Sequence, residues 1–137
     1  MEVLECSSVG DKRFSAFFAK VSFYGKIDSI ENIYQSVKYD REGNRVRKSN
    51  KVYWVIINGR KLEPKYLTPF YKLLWVKYLD RHPELVEYAK DFDEFNDKFR
   101  GKCINCQADV IRDYVKYGRD YIMQSYEVKE FLAILKS

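Results

Sequence analysis

Hydrophobic and polar positions follow different patterns in the two halves of the chain. In the first half, residues 13–24 and 52–57 are rich in aromatic, β-branched and small apolar side chains, which is typical of strands. The first segment is predicted to be a central strand, partly covered on both faces. Asn58 and Gly59 follow the second segment. Because both tolerate positive φ, they predict a tight turn into a short partner strand over residues 60–63.

Helical spacing begins at Asp28. Asp28 and Glu31 have the spacing of a capping box, in which each side chain binds an amide of the first turn. The apolar positions that follow recur at helical spacing and predict a buried face, formed by Ile30, Ile33, Tyr34 and Val37. In the second half, helices are predicted to start at Thr68-Pro69, at Pro83, near Asn105 and after Ser125, with Gly118 as the stop of the third.

These elements predict an α+β fold, with a small, mainly antiparallel sheet from the N-terminal half packed by several helices of the C-terminal half. With 137 residues and no linker or repeat, the chain is predicted to form a single domain over residues 1–137. It has no apolar run near the ~20 residues that a membrane helix needs. No export signal is visible at its start, so a cytoplasmic protein without membrane contact is expected.

Basic residues are concentrated between residues 41 and 51, where five lysines and arginines accompany one glutamate. This stretch has almost no apolar side chains and is predicted to be an exposed loop. The chain carries a formal charge of +5, which favours an anionic partner but is also typical of a merely soluble domain. Tyr53 and Trp54 follow the loop and suit single-stranded nucleic acid, although no RNA-binding sheet motif accompanies them.

Three polar residues of the predicted helix, Glu31, Gln35 and Lys38, fall at positions i, i+4 and i+7. At this spacing they share one helix face, with Tyr34 at its border. A carboxylate beside an amide, a phenol and an ammonium group can carry out acid–base chemistry or stabilise a developing cation. The same stripe is more commonly a capping glutamate on a solvated face, and the sequence leaves both interpretations open.

The cysteines and the histidine predict no metal site. Cys103 and Cys106 form a single CxxC pair, whereas Cys6 and His82 are far away in sequence and a structural zinc site needs four ligands. A redox pair needs a thioredoxin-like context that the pattern lacks. The familiar phosphate-binding loops and the nucleophile elbow are also absent. Neither a metal nor a cofactor is therefore predicted.

Two segments together resemble a known family. Phe14-Ser15-Ala16-Phe17-Phe18, followed by Ser29-Ile30-Glu31-Asn32-Ile33-Tyr34-Gln35-Ser36-Val37-Lys38, resembles the opening of the NADAR (YbiA-like) family. Phe99 and Asn105-Cys106-Gln107-Ala108 are similar to a later segment of that family in which an asparagine or glutamine and an alanine open a helix. The chain also resembles small phage-encoded proteins through Leu74-Trp75 and His82-Pro83-Glu84-Leu85. The family's tryptophan–glycine-rich C-terminal loop is not recognisable.

The resemblance implies a YbiA-like fold and an N-glycosidase, a hydrolase of ribosyl or ADP-ribosyl bonds in nucleotide-derived small molecules or modified nucleic acid. It implies that Glu31 is the catalytic carboxylate. The substrate-binding residues that it implies are Phe14, Ser15, Phe17, Tyr34, Gln35, Lys38, Asn105 and Gln107. Two other hypotheses stay open: a non-catalytic phage-type protein that binds or sequesters a nucleotide-derived ligand, and a nucleic-acid-binding protein that uses residues 41–51. A phage-encoded protein is expected in the host cytoplasm.

Overall fold

The structure is a computed structural model that describes residues 2–48, 51–99 and 105–137. Within these ranges the strands are β1 (Val3–Glu5), β2 (Lys20–Phe23), β3 (Lys26–Ser29), β4 (Lys38–Tyr39), β5 (Trp54–Ile57), β6 (Arg60–Leu62) and β7 (Glu94–Asn96). The α-helices are α1 (Ile30–Ser36), α2 (Leu67–Asp80), α3 (Pro83–Ala89), α4 (Gln107–Tyr117), α5 (Arg119–Met123) and α6 (Tyr126–Lys136). Short 3₁₀ helices cover Lys12–Phe14 and Pro64–Tyr66. The predicted mixture of helices and small, mainly antiparallel sheets is confirmed.

The strands form three small sheets rather than the single sheet that the sequence predicts. β2 and β3 form an antiparallel hairpin, and β4, β5 and β6 form an antiparallel sheet in that order. β1 pairs in parallel with β7, so the second half of the chain also contributes a strand. The prediction missed β7 because it has only three residues in a polar stretch, and only Phe95 of these is buried.

The aromatic segment 13–24 is not one central strand. Its first residues belong to the 3₁₀ helix, and the Ser15 carbonyl then accepts hydrogen bonds from the amides of Phe18 and Ala19, at 3.0 and 2.8 Å. These bonds close the backbone into a turn, and only Lys20–Phe23 is extended. The prediction was wrong because strand propensity reflects packing more than an intrinsic backbone preference, and here local turn closure determines the backbone.

Helix α1 begins two residues after Asp28, where the sequence pattern predicts its cap. The Ser29 hydroxyl accepts a hydrogen bond from the Asn32 amide (3.0 Å), which makes Ser29 the N-cap. Asp28 still lies in β3, where its carboxylate accepts a hydrogen bond from the Asn32 side chain (3.0 Å). The predicted apolar face is confirmed, since its four members are buried: Ile30, Ile33, Tyr34 and Val37.

Helix α2 lies at the centre of the core. It begins at Leu67 rather than at the predicted Thr68-Pro69 start, and Pro69 lies in the first turn, where its missing N–H removes no helical hydrogen bond. Helices α1, α4 and α6 pack around it. Five of its side chains are fully buried: Phe70, Leu74, Trp75, Val76 and Leu79. No helix in the described ranges is long and apolar enough to cross a membrane.

The sheet of β4, β5 and β6 has two faces in different surroundings. Asn58 and Gly59 adopt φ values of 48° and 80°, as the predicted turn between β5 and β6 requires. Along β5, Val55 and Ile57 are buried in the core, whereas Trp54 and Ile56 are half-buried on the opposite face. The predicted exposed loop is confirmed for residues 41–48, most of which are exposed.

The helical second half follows most of the predicted signals. Pro83 starts α3, and Gly118, with a φ of 88°, ends α4. Ser125 precedes α6, but its hydroxyl donates to the Ile122 carbonyl (2.7 Å) instead of capping that helix. Helix α5 was not predicted, since its five residues are too few for a periodic signal.

Candidate functional site

A cavity of about 380 Å³ opens between α1, the turn after the first 3₁₀ helix, the segment that follows β7, and the start of α4. Its volume is within the range of about 300–1,000 Å³ that is usual for small-molecule sites. Seven of the nine site residues singled out in the sequence line it: Phe17, Glu31, Tyr34, Gln35, Lys38, Asn105 and Gln107.

The polar stripe faces this cavity and not solvent. Only Glu31 and Gln35 lie on α1, whereas Lys38 lies beyond the helix in β4, so the prediction that all three share one helix face is wrong for Lys38. Gln35 is only 6% exposed and Lys38 only 4% exposed, so the interpretation as a solvated helix face is wrong. The interpretation of Glu31 as a capping residue is also wrong, because Ser29 caps the helix. Glu31 is half-buried and its side chain faces the cavity.

Gln35 fixes the orientation of Glu31. Its Nε2 donates to Glu31 Oε2 at 2.9 Å, and its Oε1 accepts from the Lys48 backbone amide at 2.8 Å. Because a backbone N–H can only donate, this second bond also determines which way the Gln35 amide points. Glu31 Oε1 accepts no hydrogen bond from the described part of the chain, so this oxygen is open to a ligand.

Lys38 provides a buried positive charge beside Glu31. Its Nζ lies 4.6 Å from the centroid of the Tyr34 ring, a cation–π contact, and no described carboxylate lies within salt-bridge distance of it. Burial lowers the pKa of Lys38 below its usual value, and the charge of Glu31 partly opposes that shift. A buried ammonium group without an anionic partner favours a ligand that carries negative charge.

Two tyrosines and an asparagine complete this side of the cavity. The rings of Tyr34 and Tyr71 meet edge to face with their centroids 5.0 Å apart. The Tyr34 hydroxyl accepts a hydrogen bond from Asn105 Nδ2 at 2.8 Å. Asn105 therefore connects the segment before α4 to α1, although 71 positions separate the two residues in sequence.

A second carboxylate, Asp97, faces the cavity and was not predicted. It is 3% exposed, and Gln107 Nε2 donates to its Oδ2 at 3.2 Å. Gln107 Oε1 in turn accepts from the Ala16 backbone amide at 2.7 Å. The Asp97–Gln107 pair repeats the arrangement of Glu31 and Gln35: in each, a glutamine held by a backbone amide donates to a carboxylate.

The two carboxylates differ in the hydrogen bonds that they already accept. The backbone amide of Phe99 donates to Asp97 Oδ1 at 2.9 Å, and the thiol of Cys106 lies 3.9 Å from Oδ2. Both oxygens of Asp97 are thus engaged, whereas one oxygen of Glu31 is open. Asp97 is suited to hold the cavity wall in place, and Glu31 is suited to act on a ligand.

Two predicted site residues do not line the cavity. Phe14 and Ser15 are fully buried behind it, and the Ser15 hydroxyl accepts a hydrogen bond from the Phe17 amide at 3.3 Å. Phe17 itself lines the cavity and is 50% exposed. Phe14 and Ser15 therefore support the turn that positions Phe17 instead of contacting a ligand.

Several lining residues were not predicted as site residues, notably Lys48, Tyr71, Asp97 and Phe99. Asp97 lies in an acidic stretch whose other aspartates are not buried, so composition alone could not single it out. Its distinguishing signal is Phe95 two positions earlier, whose burial identifies β7 and brings the next residues inward.

The described residues contain no cluster of three or more histidine, cysteine, aspartate or glutamate side chains suited to a metal ion. His82 Nδ1 lies 2.7 Å from the carbonyl of Tyr78, four residues earlier in α2. Cys6 is buried, and burial strongly raises the pKa of its thiol, which keeps it unreactive. Cys103, the other half of the CxxC pair, lies outside the described residues.

No protein-family model matches this chain, and no curated protein matches it either. An assignment of function therefore rests on the chemistry of the cavity and on the resemblance of the two sequence segments.

Proposed function

We propose that this protein is an N-glycosidase that hydrolyses ribosyl or ADP-ribosyl N-glycosidic bonds of nucleotide-derived substrates, with Glu31 as the catalytic carboxylate. We further propose that it is a divergent, phage-type member of the NADAR family with a YbiA-like fold. One observation carries the proposal: Glu31 is held through Oε2 by Gln35 while Oε1 stays open to a cavity of about 380 Å³.

The chemistry of N-glycoside hydrolysis matches a carboxylate held in this way. When the C1′–N bond breaks, its electron pair goes to the base nitrogen and positive charge develops on the sugar ring. A fixed carboxylate stabilises that charge, or accepts a proton from the water that bonds to C1′. The leaving nitrogen receives a proton, so that free base and free sugar are the products. In this scheme Gln35 keeps Glu31 in one orientation before substrate arrives.

The remaining lining residues suit the other parts of such a substrate. The ammonium group of Lys38 favours a phosphate or another anionic group in the cavity, since no described carboxylate lies within salt-bridge distance of it. Phe17, Tyr71 and Phe99 supply flat apolar surface for a base. These residues support a ligand with one anionic and one aromatic part, which is the character of a nucleotide.

Mass-spectrometric product analysis with a panel of ribosyl and ADP-ribosyl N-glycosides tests the proposal. Wild-type protein is expected to release free base, and Glu31→Gln is expected to lower that rate by about 10³-fold, the upper part of the range for losing one electrostatic group in a catalytic site. Glu84→Gln makes the same chemical change at an exposed residue and should keep the wild-type rate.

The outcomes separate the proposal from its alternative. Equal rates for wild type and Glu31→Gln would remove Glu31 from catalysis. A ligand that stays bound to wild-type protein without any turnover would replace hydrolysis by sequestration of a nucleotide-derived ligand. Neither binding nor turnover with any member of the panel would overturn both assignments.

A further inference from the structure

The net positive charge of this protein comes from one part of the chain. Residues 41–62 contain seven lysines and arginines and one glutamate, a net charge of +6. The rest of the chain contains 18 basic and 19 acidic residues, a net charge of −1. The formal charge of +5 therefore comes entirely from the basic loop and the β5–β6 hairpin.

Several of these cations have no acidic partner among the described residues. Elsewhere, basic side chains such as Arg13, Arg112 and Arg119 form salt bridges with nearby aspartates. Arg41, Arg45 and Lys61 are exposed, and in the described ranges none of them forms a salt bridge. Arg47 and Arg60 donate to the neutral side chains of Asn32 and Ser137. A surface with this many uncompensated cations attracts polyanions.

Aromatic rings lie between these cations. The guanidinium of Arg41 lies 5.4 Å from the Tyr53 ring centroid, and Lys61 Nζ lies 4.2 Å from the Trp54 ring. The rings of Tyr53 and Trp54 meet edge to face at 5.1 Å. The four side chains Arg41, Tyr53, Trp54 and Lys61 thus form a continuous arrangement, named here the basic–aromatic row.

Within the row, Trp54 and Lys61 lie on the outer face of the β4–β5–β6 sheet, whereas Arg41 follows β4 and Tyr53 immediately precedes β5. Trp54 pairs with Tyr39 of β4, which adds a third ring beside it. The opposite face of the sheet carries the buried side chains Val55, Ile57 and Leu62. The core therefore holds the row in place, while Tyr53 is 46% exposed and accessible to a partner.

We propose that the basic–aromatic row, together with the exposed loop 41–48, is a binding site for single-stranded nucleic acid. Cations spaced along a surface contact successive phosphates, and rings between them stack on unpaired bases. An acidic protein segment offers charge but no bases to stack. In duplex nucleic acid the bases are already stacked on one another, so the rings contribute nothing to its binding.

This site is adjacent to the cavity, and Glu31 belongs to the cavity alone. The two regions adjoin at Lys48, which belongs to the loop and also lines the cavity. Glu31→Gln is therefore expected to bind nucleic acid as the wild type does, even though it removes the proposed hydrolysis. If one proposal fails, the other can still be tested by its own experiment.

Fluorescence anisotropy with a labelled oligothymidylate of about 12 nucleotides, within the usual site size of such proteins, tests the proposal. The triple variant Arg41→Gln, Tyr53→Ser and Lys61→Gln is expected to bind at least 10-fold more weakly than wild type at low salt. Its slope of log K against log salt should decrease by about 0.7 for each lost phosphate contact. Far-UV circular dichroism verifies that the variant is folded.

The matched control removes similar side chains from another surface. Tyr126 is 82% exposed on α6, and Lys129 and Lys136 are exposed on the same helix. The control variant Tyr126→Ser, Lys129→Gln and Lys136→Gln removes one ring and two charges, as the test variant does, and should bind like wild type. The proposal is overturned if wild type does not bind, or if the control weakens binding as much as the triple variant does. It is equally overturned if duplex DNA or polyglutamate binds more tightly than the single strand.

Discussion

Lys38 and Lys61 occupy opposite faces of the same three-stranded sheet, and each lies over an aromatic ring. Lys38 Nζ is 4.6 Å from the Tyr34 centroid, and Lys61 Nζ is 4.2 Å from the Trp54 centroid. The local contacts are nearly the same, yet Lys38 is 4% exposed whereas Lys61 is exposed. The surroundings of a cation–π pair, rather than the pair itself, therefore decide whether its charge is desolvated or screened by water.

On the buried side, the cost of desolvation makes each polar group depend on its neighbours. Gln35 and Gln107 each donate to a carboxylate and accept from a backbone amide, which leaves Glu31 Oε1 as the open acceptor. On the exposed side, water screens every charge, and single cations contribute weakly and independently. Single substitutions in the cavity should therefore change the free energy of unfolding. Substitutions in the basic–aromatic row should change only the affinity for a ligand.

Asp97→Ala should have the largest effect on stability. It leaves the Phe99 amide and the Gln107 side chain without their buried acceptor, and each unsatisfied donor costs roughly 1–3 kcal/mol. We expect the free energy of unfolding to fall by about 3 kcal/mol in urea denaturation. The exposed Asp91, changed to alanine, should lose less than about 0.5 kcal/mol. Equal losses for both variants would contradict the structural role of Asp97.

Lys38→Met should have a smaller effect of the opposite sign. Replacing a buried, unpaired charge by an apolar side chain of similar length should stabilise the fold by on the order of 1 kcal/mol at neutral pH. The pKa of Lys38 in the folded protein lies below its ordinary value of 10.5, so above the folded pKa the unfolded chain binds more protons. Wild-type stability therefore rises with pH through that window.

The advantage of Lys38→Met should accordingly shrink as pH approaches 10.5 and remain constant above it. Urea denaturation of both proteins across alkaline pH measures this difference. Lys61→Met is the matched control, since it makes the same substitution at an exposed lysine of the same sheet. A gain for Lys38→Met that stays the same at every pH would mean that the charge of Lys38 is not the cause.

Lys61→Gln should have the smallest effect on stability. Its ammonium group is exposed, and we expect the free energy of unfolding to change by less than about 0.5 kcal/mol. The measurement is urea denaturation at low and at high salt. A loss above about 1 kcal/mol would show that the cation–π contact with Trp54 holds the sheet together, as buried pairs of this kind do.

The sequence was most informative where local rules determine the backbone. The Asn58-Gly59 turn was predicted because both residues must adopt positive φ, and the helix after Asp28 was predicted from the spacing of Ile30, Ile33 and Val37. The same spacing predicted that Glu31, Gln35 and Lys38 lie close together. In the structure all three line the cavity, Glu31 and Gln35 from α1 and Lys38 from β4. Whether these residues are buried or solvated could not be read from spacing alone, since it depends on what packs against them.

Local sequence rules were enough to predict the mixture of strands and helices, the turn between β5 and β6, the apolar face of α1, and the concentration of charge after residue 41. These features depend on backbone sterics, on periodicity within ten residues or so, and on composition. Only the tertiary structure decided that the polar face of α1 is buried and that Asp97 joins it. The contacts responsible, from Gln107 to Ala16 and from Asn105 to Tyr34, span 91 and 71 positions. Contacts at such separations have no local sequence signal, because the free energy that forms them comes from packing of the whole core.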